Sequence, residues 1–337
     1  MPLFRVPAKD EQPRRVSPLP SQAKGGEEHF APGSEWLFLK LYGGQSSGDR
    51  ILQEAAAPLV QHFLASGAAD GWFFIRYSDP DPHVRLRFHG DPKRLYGEAL
   101  PELNRRLAPF LEDGSLWRVE LGTYERETDR YGGAGNIARA EAWFQIESEA
   151  VLELITAYPG DDGAEARWRL CLAGVDRILR TLGYGQEARY AFVQRAREDF
   201  AREFGAKNSP LEKQLGDRFR KERKGLDAFL DESAAPDPIL APGLAILDRR
   251  DQRLAPLASG ILELSQADRL ATPLEDLARS LIHMFVNRAQ RSAQRMQEFV
   301  IYDFLERLYD SRLARLKKGA KAPSRPKMDE PQTDPVG

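Results

Sequence analysis

The sequence predicts an α+β fold, with a small antiparallel sheet and its two helices followed by a half that is almost wholly helical. Two observations carry this expectation. Short aromatic and apolar runs, one of them in strict alternation, fill residues 36–124. From about residue 136 the apolar residues instead recur at a 3.6-residue spacing.

Taken in order, "WLFLKLY" (36–42) is a short apolar strand that Gly43-Gly44 ends. "DRILQEAAAPLVQHFLASG" (49–67) places Ile51, Leu52, Ala55, Leu59, Phe63 and Leu64 at helical spacing, and Pro58 predicts a kink or a late start. "WFFIRYS" (72–78) is a second strand, closed by the turn "DPDP". "HVRLRFH" (83–89) alternates strictly and is the clearest strand of the chain. "RLYGEALPELNRRLAPFLED" (94–113) reads as helix and "SLWRVELGTY" (115–124) as a fourth strand. The order β-α-β-β-α-β is the ferredoxin-like arrangement, an antiparallel sheet with helices on one face. Helices are then predicted over 136–158, 166–182, 186–204, 209–230, 274–291 and 296–313. Residues 1–33 and 317–337, rich in Pro, Gly and charge without periodicity, are expected to be a disordered leader and tail. The folded unit is thus 34–316, with a sheet half over 34–135 and a helical half over 136–316.

Composition narrows the function classes. Among 337 residues, 42% are hydrophobic and the formal net charge is −2, which argues against a protein that lives on nucleic acid. The single cysteine, Cys171, excludes an internal disulfide, and five scattered His give no zinc-ligand spacing. No signal peptide and no membrane-length apolar run is visible, so a soluble, cytoplasmic protein is expected.

Alternation sorts each strand into two faces. One face would collect Leu37, Leu39, Leu41, Phe73, Ile75, Tyr77, Val84, Leu86, Phe88, Trp117, Val119 and Leu121, a core for the two helices. The other would collect Trp36, Phe38, Lys40, Tyr42, Trp72, Phe74, Arg76, His83, Arg85, Arg87, His89, Arg118 and Glu120. A solvated face with cationic stems lying over the rings is the plain reading of that set. So much aromatic surface instead favours a cover, by the helical half or by a ligand. Arg85 and Arg87 could grip carboxylate or phosphate groups in bidentate fashion. Stacking aromatics and Arg on such a sheet also suit single-stranded RNA, but the run that RNA-recognition domains carry is missing.

The stretch "TYERETDRYGG" (123–133) packs Glu125, Arg126, Glu127, Asp129 and Arg130 into six positions and then closes with Tyr131-Gly132-Gly133. A solvated helix face explains the charges; it does not explain the glycine pair, which frees the backbone for a tight turn. Taken alone, Glu127 and Arg130 would form a surface ion pair of little worth, and His283 in "SLIHMFV" would be a core histidine.

Four motifs occur in order: "WLFLKLYGG", "WFFIRYSDPDPHVRLRFHG", "TYERETDRYGG" with "AEAWFQIES", and "SLIHMFVNR". Together they resemble the C-terminal elimination domain of class I lantibiotic dehydratases, also called the thiopeptide-type bacteriocin biosynthesis domain, over about residues 35–314. The resemblance implies a lyase without a cofactor. A separate tRNA-dependent glutamylating subunit would load glutamate onto Ser or Thr of a precursor peptide. This chain, as the elimination subunit of a split dehydratase, would remove it to leave dehydroalanine or dehydrobutyrine. The family's functional positions fall on Arg85, Arg87, Glu127, Arg130 and His283, and a second family His falls on Phe285. No metal, no membrane and no direct tRNA binding are expected. The alternatives are a pyridine-forming [4+2] cyclase of thiopeptide assembly and a non-catalytic peptide-binding subunit.

Overall fold

The computed structural model describes residues 28–231 and 235–320. The expected leader and tail therefore fall mostly outside the described residues. Within the part that is described, His29–Phe30 forms strand β1, and the last helix runs to Ala320.

Strands β2 (Trp36–Gly43), β3 (Gly71–Tyr77), β4 (His83–His89) and β5 (Leu116–Leu121) form one antiparallel sheet in the order β3-β4-β2-β5. This is the split β-α-β-β-α-β topology expected from the order of runs. Helix α1 covers residues 45–66 without a break, through a π turn at Leu52–Ala56, and α2 covers 92–112 through a second π turn at Leu95–Ala99. Each π turn ends two residues before a proline, Pro58 in α1 and Pro101 in α2. A proline ring crowds the carbonyl four residues back and offers no N–H. Widening the turn just before it keeps the helix continuous.

The face assignment of β3 is corrected. Its register with β4 sets Trp72 opposite Phe88, Phe74 opposite Leu86 and Arg76 opposite Val84, so these three lie on the helix-covered face. Phe73, Ile75 and Tyr77 pair with Arg87, Arg85 and His83 on the other face. "WFFIRYS" is apolar or aromatic at both phases, so alternation alone could not choose between them. The hairpin register chooses. Trp117, Val119 and Leu121 are not core either: β5 is an edge strand, and Trp117 is 52% exposed. An irregularity between Tyr42 and Gly43 turns Leu116 inward in their place.

The helical half comprises α3 (Ile137–Ala157), α4 (Ala164–Thr181), α5 (Gln186–Glu203), α6 (Pro210–Phe229), α7 (Ala241–Gln266), α8 (Leu274–Ala289) and α9 (Gln294–Ala320). Helix α7 is absent from the sequence reading. Its Pro242, Gly243, Pro256 and Gly260 mask the period, although Pro242 lies in the first turn, where no N–H is missed.

Side chains from α3 and α8 seal the outer edge of β3. Ser148 Oγ accepts from Phe74 N at 3.2 Å, and Arg288 Nε donates to Phe74 O at 2.8 Å. Asn287 pairs with Arg76 as a neighbouring strand would, accepting from its N at 2.8 Å and donating to its O at 2.8 Å. Arg288 is fully buried and also reaches Glu147 at 3.0 Å; burial pushes the Glu147 carboxyl up to about 7 against the pull of Arg288.

A second buried centre ties α1 to β3, α4 and the α8–α9 loop. Asp49 meets Arg76 at 2.5 Å, Arg167 at 2.6 Å and Arg291 at 3.1 Å. Burial alone would raise its carboxyl, but the three guanidinium groups outweigh it and bring the pKa to about 2. Asp49→Asn leaves three arginines facing a neutral group and should cost about 3–5 kcal/mol in urea unfolding at pH 7. Because the folded pKa lies below the unfolded one, Asp49 contributes fully above about pH 4. The gap between wild type and variant should close as pH falls toward about 2. An equal gap at pH 7 and near pH 2 would contradict this account.

Candidate active site

Arg85 and Arg87 project from β4 on the sheet face away from α1 and α2, beside Phe38, Phe73 and Tyr77. This face is roofed by β1 and by β6 (Tyr124–Glu125), which pair with each other as a small ribbon. Tyr124 stacks on Phe30 at 5.9 Å and donates to Glu141 at 2.9 Å, and Arg126 forms a two-pronged pair with the same carboxylate at 2.7 and 2.9 Å. The roof is thus fixed to α3.

Under it Arg87 sits in an aromatic box, its Cζ 4.4 Å from the Phe38 ring centre, 4.8 Å from Tyr124 and 5.1 Å from Phe73. It is 7% exposed, and its buried Nε and Nη1 have no hydrogen-bond partner. Burial lowers its pKa to about 10. A guanidinium held this way has N–H groups to offer an incoming anion. Arg85 lies 3.5 Å above the Tyr77 ring and donates from Nε to His83 Nε2 at 3.0 Å. His83 in turn donates from Nδ1 to the Asp81 carbonyl at 2.8 Å, and burial pushes its pKa down. It is therefore a neutral prop for Arg85.

The turn after β6 delivers the next residues. A 3₁₀ turn at Asp129–Tyr131 runs into Gly132 (φ 88°) and Gly133 (φ 87°), a backbone that side chains oppose. A Cβ on Gly133 would also come within 2.8 Å of Ala271, just before α8. The glycine pair lets this turn lie against the entry to α8, where Ala271 N donates to Gly132 O at 3.1 Å. Arg130 then reaches Glu127 at 2.7 Å and donates to Ser280 Oγ on α8 at 3.2 Å.

Ser280, His283 and Asn287 follow at i, i+3 and i+7 and so form one stripe of α8. Arg130, Ser280 and His283 line a single cavity of about 240 Å³, together with Arg279, Arg295 and Glu298. His283 Nδ1 lies 2.7 Å from Glu298 on α9. Larger clefts, of about 720 and 810 Å³, lie among other helices and contain none of these residues.

Of the sequence-predicted residues, Arg130 and His283 line the cavity together, and Glu127 is joined to it only through its pair with Arg130. Arg85 and Arg87 do not line that cavity; they are coupled to it electrostatically through Glu127, which acts on both, and through Tyr131, which feels Arg87, Glu127 and Arg130. Phe285, where the family often has a second His, is fully buried beneath Arg250 at 4.7 Å. Sequence reading missed Ser280, Glu298 and the roof residue Tyr124. The α8 stripe could have flagged Ser280, but nothing in the sequence links Glu298 to His283. Among the described residues, no group of three or more His, Cys, Asp or Glu converges to hold a metal ion, and no helix is long and apolar enough to cross a membrane.

The family model described as "Lantibiotic biosynthesis dehydratase C-term" matches residues 36–309. The chain is 29% identical over 194 residues to the subtilin biosynthesis protein SpaB of Bacillus subtilis, an alignment covering 56% of this chain and 19% of SpaB. The chain therefore spans about a fifth of that relative. Its fold is similar to the tRNA dependent lantibiotic dehydratase MibB from Microbispora sp. 107891, with TM-score 0.65 and 23% identity over 88% of this chain and 29% of MibB. The pyridine synthase TbtD from thiomuracin biosynthesis shares the fold too, with TM-score 0.59 and 14% identity over 82% of this chain and 98% of TbtD. Spanning nearly the whole sheet and helical half, the family match shows that the chain belongs to the lantibiotic biosynthesis dehydratase C-terminal family.

Proposed function

We propose that the protein is a lyase that eliminates glutamate from glutamylated Ser or Thr of a ribosomally made precursor peptide, leaving dehydroalanine or dehydrobutyrine. The observation that carries this reading is the meeting of Arg130 and His283 in one cavity, while Arg87 on the sheet face keeps N–H groups without hydrogen-bond partners. Glutamate would arrive from a separate glutamylating subunit, and the reaction needs no cofactor.

The chemistry assigns the parts. A base takes the Cα proton, the C–H electron pair becomes the Cα=Cβ bond, and the Cβ–O bond breaks to release glutamate. The leaving group is a carboxylate, whose acid has a pKa of about 3.5, so it departs without needing a proton. The proton work is thus the removal of the Cα hydrogen, the task of His283. Arg130, in the same cavity, faces the negative charge that develops as that proton leaves. Glutamate joined through its α-carboxyl keeps a free side-chain carboxylate and an ammonium. Arg85 and Arg87 take the carboxylate; Glu127, already paired with Arg130, holds that arginine in place and is available to the ammonium.

Mass spectrometry of a glutamylated precursor peptide before and after incubation with the purified protein tests the reading. Loss of glutamate with appearance of a dehydro residue is expected. Arg130→Ala and His283→Ala should each slow it by about 10²-fold or more while the protein stays folded. An unchanged glutamylated peptide, with ring closure on an already dehydrated peptide, would instead establish the pyridine-forming alternative.

Arg87 yields a second, sharper expectation. A buried cation whose N–H groups lack hydrogen-bond partners is a burden on the free protein, so Arg87→Met should be at least as stable as wild type in urea unfolding, yet inactive. A loss of more than about 2 kcal/mol would show that the aromatic box needs the guanidinium for folding.

A further inference from the structure

We propose that Glu298 is a positioning residue for this reaction: it fixes His283 in the tautomer that presents an unprotonated Nε2 to the cavity. The inference rests on the elimination reading for its kinetic consequence, but its structural core stands apart from it.

A carboxylate has lone pairs and no hydrogen, so the hydrogen in the 2.7 Å contact between His283 and Glu298 belongs to Nδ1. A neutral imidazole carries one N–H, which leaves Nε2 with its lone pair. Among the described residues nothing hydrogen-bonds to that nitrogen, and the ring lines the cavity that holds Arg130. His83 gives the contrast. Its Nδ1 is likewise committed, to the Asp81 carbonyl, but its Nε2 is occupied by Arg85 at 3.0 Å, so it has no nitrogen left for proton transfer.

Glu298 is well placed to impose this orientation. It is 3% exposed, lies in the second turn of α9, and is flanked on that helix by Arg295, paired with Glu203, and by fully buried Phe299 and Tyr302. His283 is equally constrained, because Asn287 and Arg288 anchor the next turn of α8 to β3. The carboxylate and imidazole thus come from two helices that are each fixed elsewhere. When Nε2 takes the Cα proton, the ring becomes an imidazolium whose second N–H still points at Glu298; the proton then passes to water.

The test uses the full-length protein carrying ¹⁵N-labelled histidine, with the His283 signals assigned by their loss in His283→Gln. In the wild type the neutral His283 ring should be protonated at Nδ1. Glu298→Gln, whose amide can offer either oxygen or N–H, should mix the tautomers. It should lower kcat for elimination by about 10²-fold or more and leave KM within about twofold. A tie between helices alone would move the melting temperature but neither the tautomer nor kcat. A wild-type ring protonated at Nε2, or a folded Glu298→Gln protein with unchanged kcat, would overturn the proposal. If the wild-type protein eliminates no glutamate at all, the function reading fails while the tautomer measurement still decides whether Glu298 orients His283.

Discussion

The attachment of α8 to the open edge of β3 is the constraint on which the rest of the molecule depends. An edge strand exposes backbone N–H and C=O groups that must find partners when buried. Here those partners are side chains: Ser148 from α3, and Asn287 with Arg288 from α8. The cost of leaving them unmade makes the docking of the helical half specific in position as well as favourable. Once Asn287 is pinned to Arg76, helical geometry decides where Ser280 and His283 stand. The same contacts that complete the sheet therefore aim the candidate catalytic stripe at Arg130.

Around this joint the charges divide into two kinds. Asp49 with Arg76, Arg167 and Arg291, and Glu147 with Arg288, are buried ions with partners, and they fasten elements that lie far apart in sequence. Arg87 is a buried ion whose Nε and Nη1 lack hydrogen-bond partners and which is cushioned only by ring faces. The first kind is what a folded protein needs. The second is what a binding site needs, because the missing partners arrive with the ligand.

Much of the architecture was legible because its signals are local. Strict alternation in "HVRLRFH" and apolar spacing in the helical runs follow directly from backbone periods. Two misses have clear physical causes. "WFFIRYS" is buried on both sides, so only pairing with β4 could set its phase, and α7 hides its period behind two prolines and two glycines. At the candidate site, Arg85, Arg87, Glu127, Arg130 and His283 were readable through motif resemblance. The Glu127–Arg130 pair was readable too, from its i, i+3 spacing; the meeting with α8 was not, because Arg130 reaches Ser280 on a helix 150 residues further on. Glu298 carries no sequence signal, since its meaning exists only once α8 and α9 lie side by side.

In the proposed function, the sheet face under the β1–β6 roof and the α8 cavity form one glutamate-releasing site. A crystal structure with a peptide bearing glutamate through an amide in place of the ester, which cannot eliminate, tests it most directly. The glutamyl carboxylate is expected against Arg85 and Arg87, with the neighbouring Cα–H facing His283 Nε2. Density for the glutamyl group elsewhere, for example in the large cleft lined by Arg177, Arg180 and Asp248, would contradict it.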